Sequence, residues 1–279
     1  MAEISAELVK KLRDRTGMPF GKCKEALVET KGDLDKAVDR LRERNKDAQN
    51  KLVSRETAEG RIGIYIDPVK QVGALVEVRC ESAPVAKSEL FVQLANDLAK
   101  QVALKEATTP EALLAQPFVD DPKKTVNDRI GEVVGMIHEN MKPVRMVRLT
   151  GGHLGSYVHH DGSVGVMVQV EGGKADPQLL RDVSMHTTAK NPVAALREHV
   201  PQATVDKEME IARAQAAATG KPAQIVEKIA EGKMKTWYAE NVLAEQPFVK
   251  DDSKTVGDLL KAAGLKLVKF ARLRVGEVS

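Results

Sequence analysis

The sequence predicts an α+β protein: an N-terminal bundle of three short helices, then a core built twice from antiparallel sheets and helices, with a helical hairpin inserted in the second copy. Three observations carry this. Apolar residues recur at helical spacing through residues 4–41, with a chemical break at each helix end. Two β-rich runs recur 92 positions apart, Tyr65 matching Tyr157. A Gln-Pro-Phe-Val block at 116–119 recurs 130 positions on, at 246–249, so the second copy carries about 38 additional residues.

The first helix opens at Ser5, an N-cap residue, with Ile4 and Val9 at the two positions of a hydrophobic staple. Leu8, Val9 and Leu12 share one face. Gly17 and Pro19 end it, and Pro19 biases Met18 away from helical angles. A second helix carries Cys23, Ala26, Leu27 and Thr30 and stops at Gly32. Asp33 then caps a third, with Leu34, Ala37, Val38 and Leu41 at helical spacing. A bundle of about 40 residues buries little surface and is marginal alone, so it is expected to hold something. The turn of Met18, Pro19 and Phe20 is expected to present apolar groups to solvent. Residues 42–51 are polar and charged throughout, which suits a solvated linker or an exposed helix extension. The organisation that follows is a bundle at 1–45, a linker at 46–58, a first core half at 59–150 and a second at 151–279.

In each core half, two β-rich runs joined by a turn predict an antiparallel hairpin: 61–66 with 72–78, and 153–158 with 164–170. Ala74, Val76, Val78 and Cys80 alternate with Leu75, Glu77 and Arg79, so the second run has two distinct faces. A helix follows each hairpin, the second capped by Asp176 with Pro177 in the first helical position. Each half ends in a further strand, near Met146 and near Phe270. The inserted residues, about 204–242, read as two helices broken at Thr219-Gly220-Lys221-Pro222. Met209, Ala212, Ala216, Ile225 and Ile229 are spaced to form their seam, and a packed pair of core helices fits the pattern equally.

Lys and Arg number 43 against 40 Asp and Glu, a net charge of +3, and aromatics make up 3%. Neither suits a nucleic-acid binder, which needs a basic footprint and stacking rings. Cys23 and Cys80 have no metal-site spacing and fit free thiols in a reducing cytoplasm. The first residues lack the basic and apolar regions of a signal peptide, and no run approaches a membrane span of about 20 apolar residues.

Motifs for chemistry are lacking. Thr219-Gly220-Lys221 fails as a phosphate loop, because Gln215 stands where glycine is needed and Pro222 where a hydroxyl is needed. His159-His160-Asp161 has no third ligand at a suitable spacing. Lys22 and Lys24 flank Cys23 and could activate it, but its place on the apolar face favours packing. No acid, base and nucleophile converge, and no cofactor or metal is expected. The chain reads as a binding or regulatory protein rather than an enzyme.

The block from Leu12 to Leu27, L-R-D-R-T-G-M-P-F-G-K-C-K-E-A-L, followed by Gly32-Asp33, resembles the N-terminal module of the elongation factor Ts family. So do the segments 153–159, Met185-His186, 227–235 and 246–256. The resemblance spans nearly the whole chain. It implies a ubiquitin-associated-like (UBA-like) helical module, a duplicated α+β core and a coiled-coil-like arm. It also implies guanine-nucleotide exchange on elongation factor Tu during translation elongation, with self-association through the core sheets as a route to a two-to-two complex. By the same resemblance Leu12, Met18, Pro19 and Phe20 dock on the partner's nucleotide-binding domain, while Tyr157, His159, Met185 and His186 face the partner from the core. The family's wedge against the partner's Mg²⁺ site resembles T-D-F-V-A-K. Here Ser82-Ala83-Pro84-Val85-Ala86-Lys87 stands in its place, without the acid and the ring. Loss of a ring burying about 150–250 Å² removes a hot spot, leaving Pro84 and Val85 as a stiff substitute. A C-terminal helical segment of some members is expected to have no counterpart after Val275. An adaptor built on the first module is the alternative, and it leaves the repeated Gln-Pro-Phe-Val block unexplained. An RNA-binding role conflicts with the charge, and an enzyme with the missing catalytic set.

Overall fold

The structure, a computed structural model, describes residues 4–277, and readings placed on residues 1–3 and 278–279 lie outside them. Helices α1 (Ala6–Thr16), α2 (Phe20–Glu29) and α3 (Leu34–Leu52) form the N-terminal bundle. Ser5 Oγ accepts the Leu8 N–H, Gly17 ends α1 in the left-handed region, and Asp33 accepts the N–H groups of Asp35 and Lys36. Val9, Leu12, Met18, Cys23, Leu27, Ala37 and Leu41 make its core.

The charged run 42–51 continues α3 as a helix extension, mostly exposed or half-buried. Asn45 and Leu52 are buried on it. Gln49 Nε2 donates to Asn127 Oδ1 at 2.9 Å, and Lys22 Nζ donates to the Gly135 carbonyl. A Cβ at Gly135 would stand 2.2 Å from Asn45 Oδ1, so the bundle seats on the next layer through a glycine contact.

The first core half runs β1 (Glu59–Asp67), β2 (Val72–Cys80), α4 (Ala83–Lys87), α5 (Glu89–Leu104), α6 (Pro110–Ala115), β3 (Pro117–Phe118), β4 (Asp121–Thr125), α7 (Val126–Ile137) and β5 (Lys142–Thr150). The second runs β6 (His153–Val158), β7 (Val164–Gly172), α8 (Pro177–Lys190), α9 (Gln202–Ala217), α10 (Ala223–Asn241), β8 (Pro247–Phe248), β9 (Asp251–Thr255), α11 (Val256–Ala262) and β10 (Leu265–Arg274). The antiparallel sheets have orders β1-β2-β5 and β10-β7-β6. Tyr65 pairs with Ala74 and Tyr157 with Val166, so the register itself recurs at 92 residues.

The sheets pack face to face. Ile62, Leu75, Leu149, Met167, Ala271 and Leu273 fill the space between them, which is why both faces of β2 are buried. Ala74, Val76 and Val78 look the other way, onto α5 and α7, while Val166, Val168 and Val170 look onto α8 and α11. Two pairs of glycines 92 residues apart make this possible. A Cβ at Gly63 would lie 2.0 Å from the Ala95 carbonyl oxygen, and one at Gly155 would lie 2.4 Å from Leu180 Cβ, so each helix sits directly on its strand. Cβ atoms at Gly73 and Gly165 would strike Met167 and Ile62 across the sheet interface.

Helices α9 and α10 pack side by side. Their seam is Ala212, Ala216, Ala230 and Met234, whereas Ile225 of the expected seam is 44% exposed. Short alanines bring the helices close and turn Ile225 outward. Val200, Val242, Trp237 and Tyr238 fix their base, with the Arg197 guanidinium 4.3 Å from the Tyr238 ring centre. No described helix is long and apolar enough to cross a membrane.

Candidate functional site

The apolar turn between α1 and α2 divides into an inner and an outer part. Leu12 is fully buried on the apolar face of α1, and Met18 is fully buried too, contrary to the expectation that the turn offers it to solvent. The left-handed Gly17 turns the chain back, so Met18 points under α3, where its sulfur lies 3.9 Å from Asn45 Nδ2. Pro19 and Phe20 remain outside, with Phe20 48% exposed. Cys23 is buried below them, and burial pushes its thiol pKa up, which fits the packing role.

Ser82 is the N-cap residue of α4. Ala83 and Pro84 occupy its first turn and are exposed, Val85 is half-buried against the first core half, and Ala86 is buried. The loop is held from the α7–β5 turn. Glu139 Oε2 accepts the N–H groups of Glu81 and Ser82 at 3.1 Å, and its Oε1 accepts the Ser82 hydroxyl at 2.6 Å. Glu81 returns the contact by accepting the Asn140 N–H at 2.6 Å. Nearby Cys80 is fully buried, its thiol pKa pushed up to about 12 chiefly by burial and also by the charge of Glu139.

In the second half, Tyr157, His159, Asp161 and Met185 line one cleft with Arg272 and Arg274. Residues 157 and 159, two apart on β6 and its extension, share one face, and Met185 reaches them from α8. His159 Nδ1 lies 2.8 Å from Asp161 Oδ1, and the Arg181 guanidinium lies 5.9 Å from the Tyr157 ring centre. Partial burial opposes the Asp161 charge, but His159 and the Ser163 N–H and hydroxyl outweigh it and hold the carboxyl well below its ordinary pKa. Asp161 therefore orients His159. Among the described residues no three His, Cys, Asp or Glu side chains are placed to hold a metal.

His186 corrects the expectation of a partner-facing residue. Adjacent residues on a helix point to different sides, and as Met185 enters the cleft, His186 is fully buried on the other side. Its Nε2 lies 3.0 Å from Gln246 Oε1, and its Nδ1 accepts the Val249 N–H at 3.2 Å. Because Nδ1 accepts, Nε2 carries the proton in a neutral ring. Sequence reading did not find Glu139, Asp161 as a partner of His159, or the arginines of β10. The contacts of Glu139 and of the β10 arginines span tens of residues and leave no local signal, whereas Asp161 stands two positions from His159 and reads in sequence only as a candidate metal ligand.

Comparison with known proteins is consistent along the chain. A family model described as Elongation factor TS matches residues 81–277. A protein named elongation factor Ts from Thioalkalivibrio sulfidiphilus is 41% identical over 277 residues, spanning 98% of this chain and 92% of its own. Proteins of the same name from Clostridium botulinum and Clostridium kluyveri are 39% identical over 285 residues, spanning 98% of this chain and 93% of theirs.

Proposed function

The chain belongs to the elongation factor Ts family of translation elongation factors, and we propose from this that it binds elongation factor Tu and promotes release of GDP. The similarity over 98% of the chain carries the reading. In it, α1–α3 are the UBA-like module, whose Pro19 and Phe20 dock on the partner's nucleotide-binding domain. Leu12 and Met18 support that turn from beneath. Tyr157, His159 and Met185 form the core's contact with the partner, with His186 fixing α8 behind them. The α9–α10 pair is the coiled-coil-like arm.

No chemistry is required of such a protein. It binds nucleotide-free partner better than GDP-bound partner, and by linkage it weakens GDP binding by the same factor. The rigid sheet pair supplies a frame, and exposed Ala83 and Pro84 on α4 press toward the partner's Mg²⁺ and phosphate site. The lack of an aromatic ring there favours a second reading, an adaptor that binds but exchanges weakly. Titration calorimetry with elongation factor Tu at rising GDP separates the two. An exchange factor loses affinity as GDP rises, whereas an adaptor binds with the same affinity throughout.

A further inference from the structure

Arg61 stands on edge strand β1 between two parts of the core, α4 and the β6–β7 turn, that lie far apart along the chain. Its Nη1 donates to the Ala86 carbonyl of α4 at 3.2 Å. On its other side lies the turn between β6 and β7, which carries His159 and Asp161. The Gly162 carbonyl accepts the Ile62 N–H at 2.8 Å, and a Cβ on Gly162 would stand 2.8 Å from Arg61 Cζ. Gly162 has a φ of +80°, so the turn is shaped to lay its backbone on the guanidinium. Arg61 Nε is buried without a hydrogen-bond partner. An aliphatic side chain would fill the space without leaving a polar atom unsatisfied, so packing alone does not account for an arginine here.

We infer that Arg61 is a positioning residue that makes α4 and the His159–Asp161 turn move as one unit. Its functional consequence rests on the exchange reading above: contact of the partner with the Tyr157–His159 cleft is passed to Ala83 and Pro84 through the guanidinium. Disturbance of either side then reaches the other. Arg61→Met keeps most of the packing and removes the donor. Gly162→Ala crowds Arg61 from the turn and leaves α4 itself untouched.

Amide hydrogen exchange on the full chain tests this without the partner. Arg61→Met should raise exchange about fivefold in both 83–88 and 159–164, the factor that loss of one net hydrogen bond carries, and Arg61→Lys should recover part of it. Gly162→Ala should raise exchange in 83–88, across the interface. Loosening confined to the mutated side, or none, overturns the inference. With elongation factor Tu, Arg61→Met should lower the maximal GDP-release rate more than it raises the concentration for half-effect. If the unaltered chain forms no complex, the exchange reading fails, and the hydrogen-exchange result still decides whether Arg61 joins the two segments.

Discussion

His186 holds Gln246 in the second core half as Gln101 holds Gln116 in the first. His186 Nε2 lies 3.0 Å from Gln246 Oε1, and Gln101 Nε2 donates to Gln116 Oε1 at 2.9 Å. The other end of each side chain accepts a backbone N–H, Val249 for His186 and Val119 for Gln101. Each glutamine amide then donates to a carbonyl, that of Glu240 or Glu106. An imidazole and an amide thus lock equivalent hairpins, β8–β9 and β3–β4, onto their helices.

The equivalence predicts that His186→Gln is tolerated at under about 1.5 kcal/mol, whereas His186→Ala, which leaves a cavity and unpaired groups, costs about 2–4 kcal/mol. Burial, opposed by the Gln246 hydrogen bond, lowers the His186 pKa. Its contribution is then complete above the unfolded value of about 6.5 and is lost as pH falls through the folded value. Urea denaturation between pH 7.5 and 5 should show a slope in the unaltered protein that is shallower in His186→Gln. Equal slopes would contradict the assignment.

Phe20 and Met18 lie two positions apart, the one exposed and the other buried. Phe20→Ala should weaken binding to elongation factor Tu by about 1–2 kcal/mol and leave the melting temperature nearly unchanged. Met18→Ala should cost about 2–5 kcal/mol of stability in the bundle. Calorimetric melting beside binding titration reads both, and the reverse pattern would place Met18 at the interface.

The Ala83 and Pro84 side chains are exposed in the first turn of α4, so Ala83→Asp with Pro84→Phe can be built without disturbing the core. An acid in that turn also suits the helix dipole. The double variant should raise the GDP-release rate by about tenfold, the factor of a modest aromatic hot spot. An unchanged rate would refute the wedge role.

Glu77 lies fully buried at the end of the sheet interface. It sits 2.9 Å from Arg79 and 2.6 Å from Arg145, and it accepts the Gly276 N–H at 3.0 Å. Burial is the largest single influence and opposes its charge, but these donors together hold its pKa below the ordinary value. A depressed carboxylate stabilises above the unfolded value of about 4.3, and that stability is lost as pH falls through the folded value. Glu77→Gln should cost about 3 kcal/mol at pH 7, with a smaller deficit under acid conditions. A deficit independent of pH would show that packing, not charge, is responsible.

The duplication was legible because both the glycine pattern and the hydrophobic alternation return at one spacing. That spacing follows Tyr65 to Tyr157 and ends as a shared strand register. The caps were legible because Ser5, Asp33 and Asp176 act within three residues. Other features were not legible. The charged face of 42–51 conceals Asn45, which is buried only because Gly135 lies opposite. Met18 looks exposed beside Pro19 until the turn at Gly17 reverses the chain. His186 shares a dipeptide with Met185, and only the packing of β8–β9 decides which of the two is outside. Arg61 and Glu139 act on chain segments from about 25 to 100 residues away and leave no pattern in sequence.

The most direct test of the account is release of a fluorescent GDP from elongation factor Tu at fixed Mg²⁺, with rising amounts of this protein. Exchange activity predicts a release rate that climbs and saturates, with Phe20→Ala shifting the half-saturating concentration upward. A complex that forms while the release rate stays flat would contradict it.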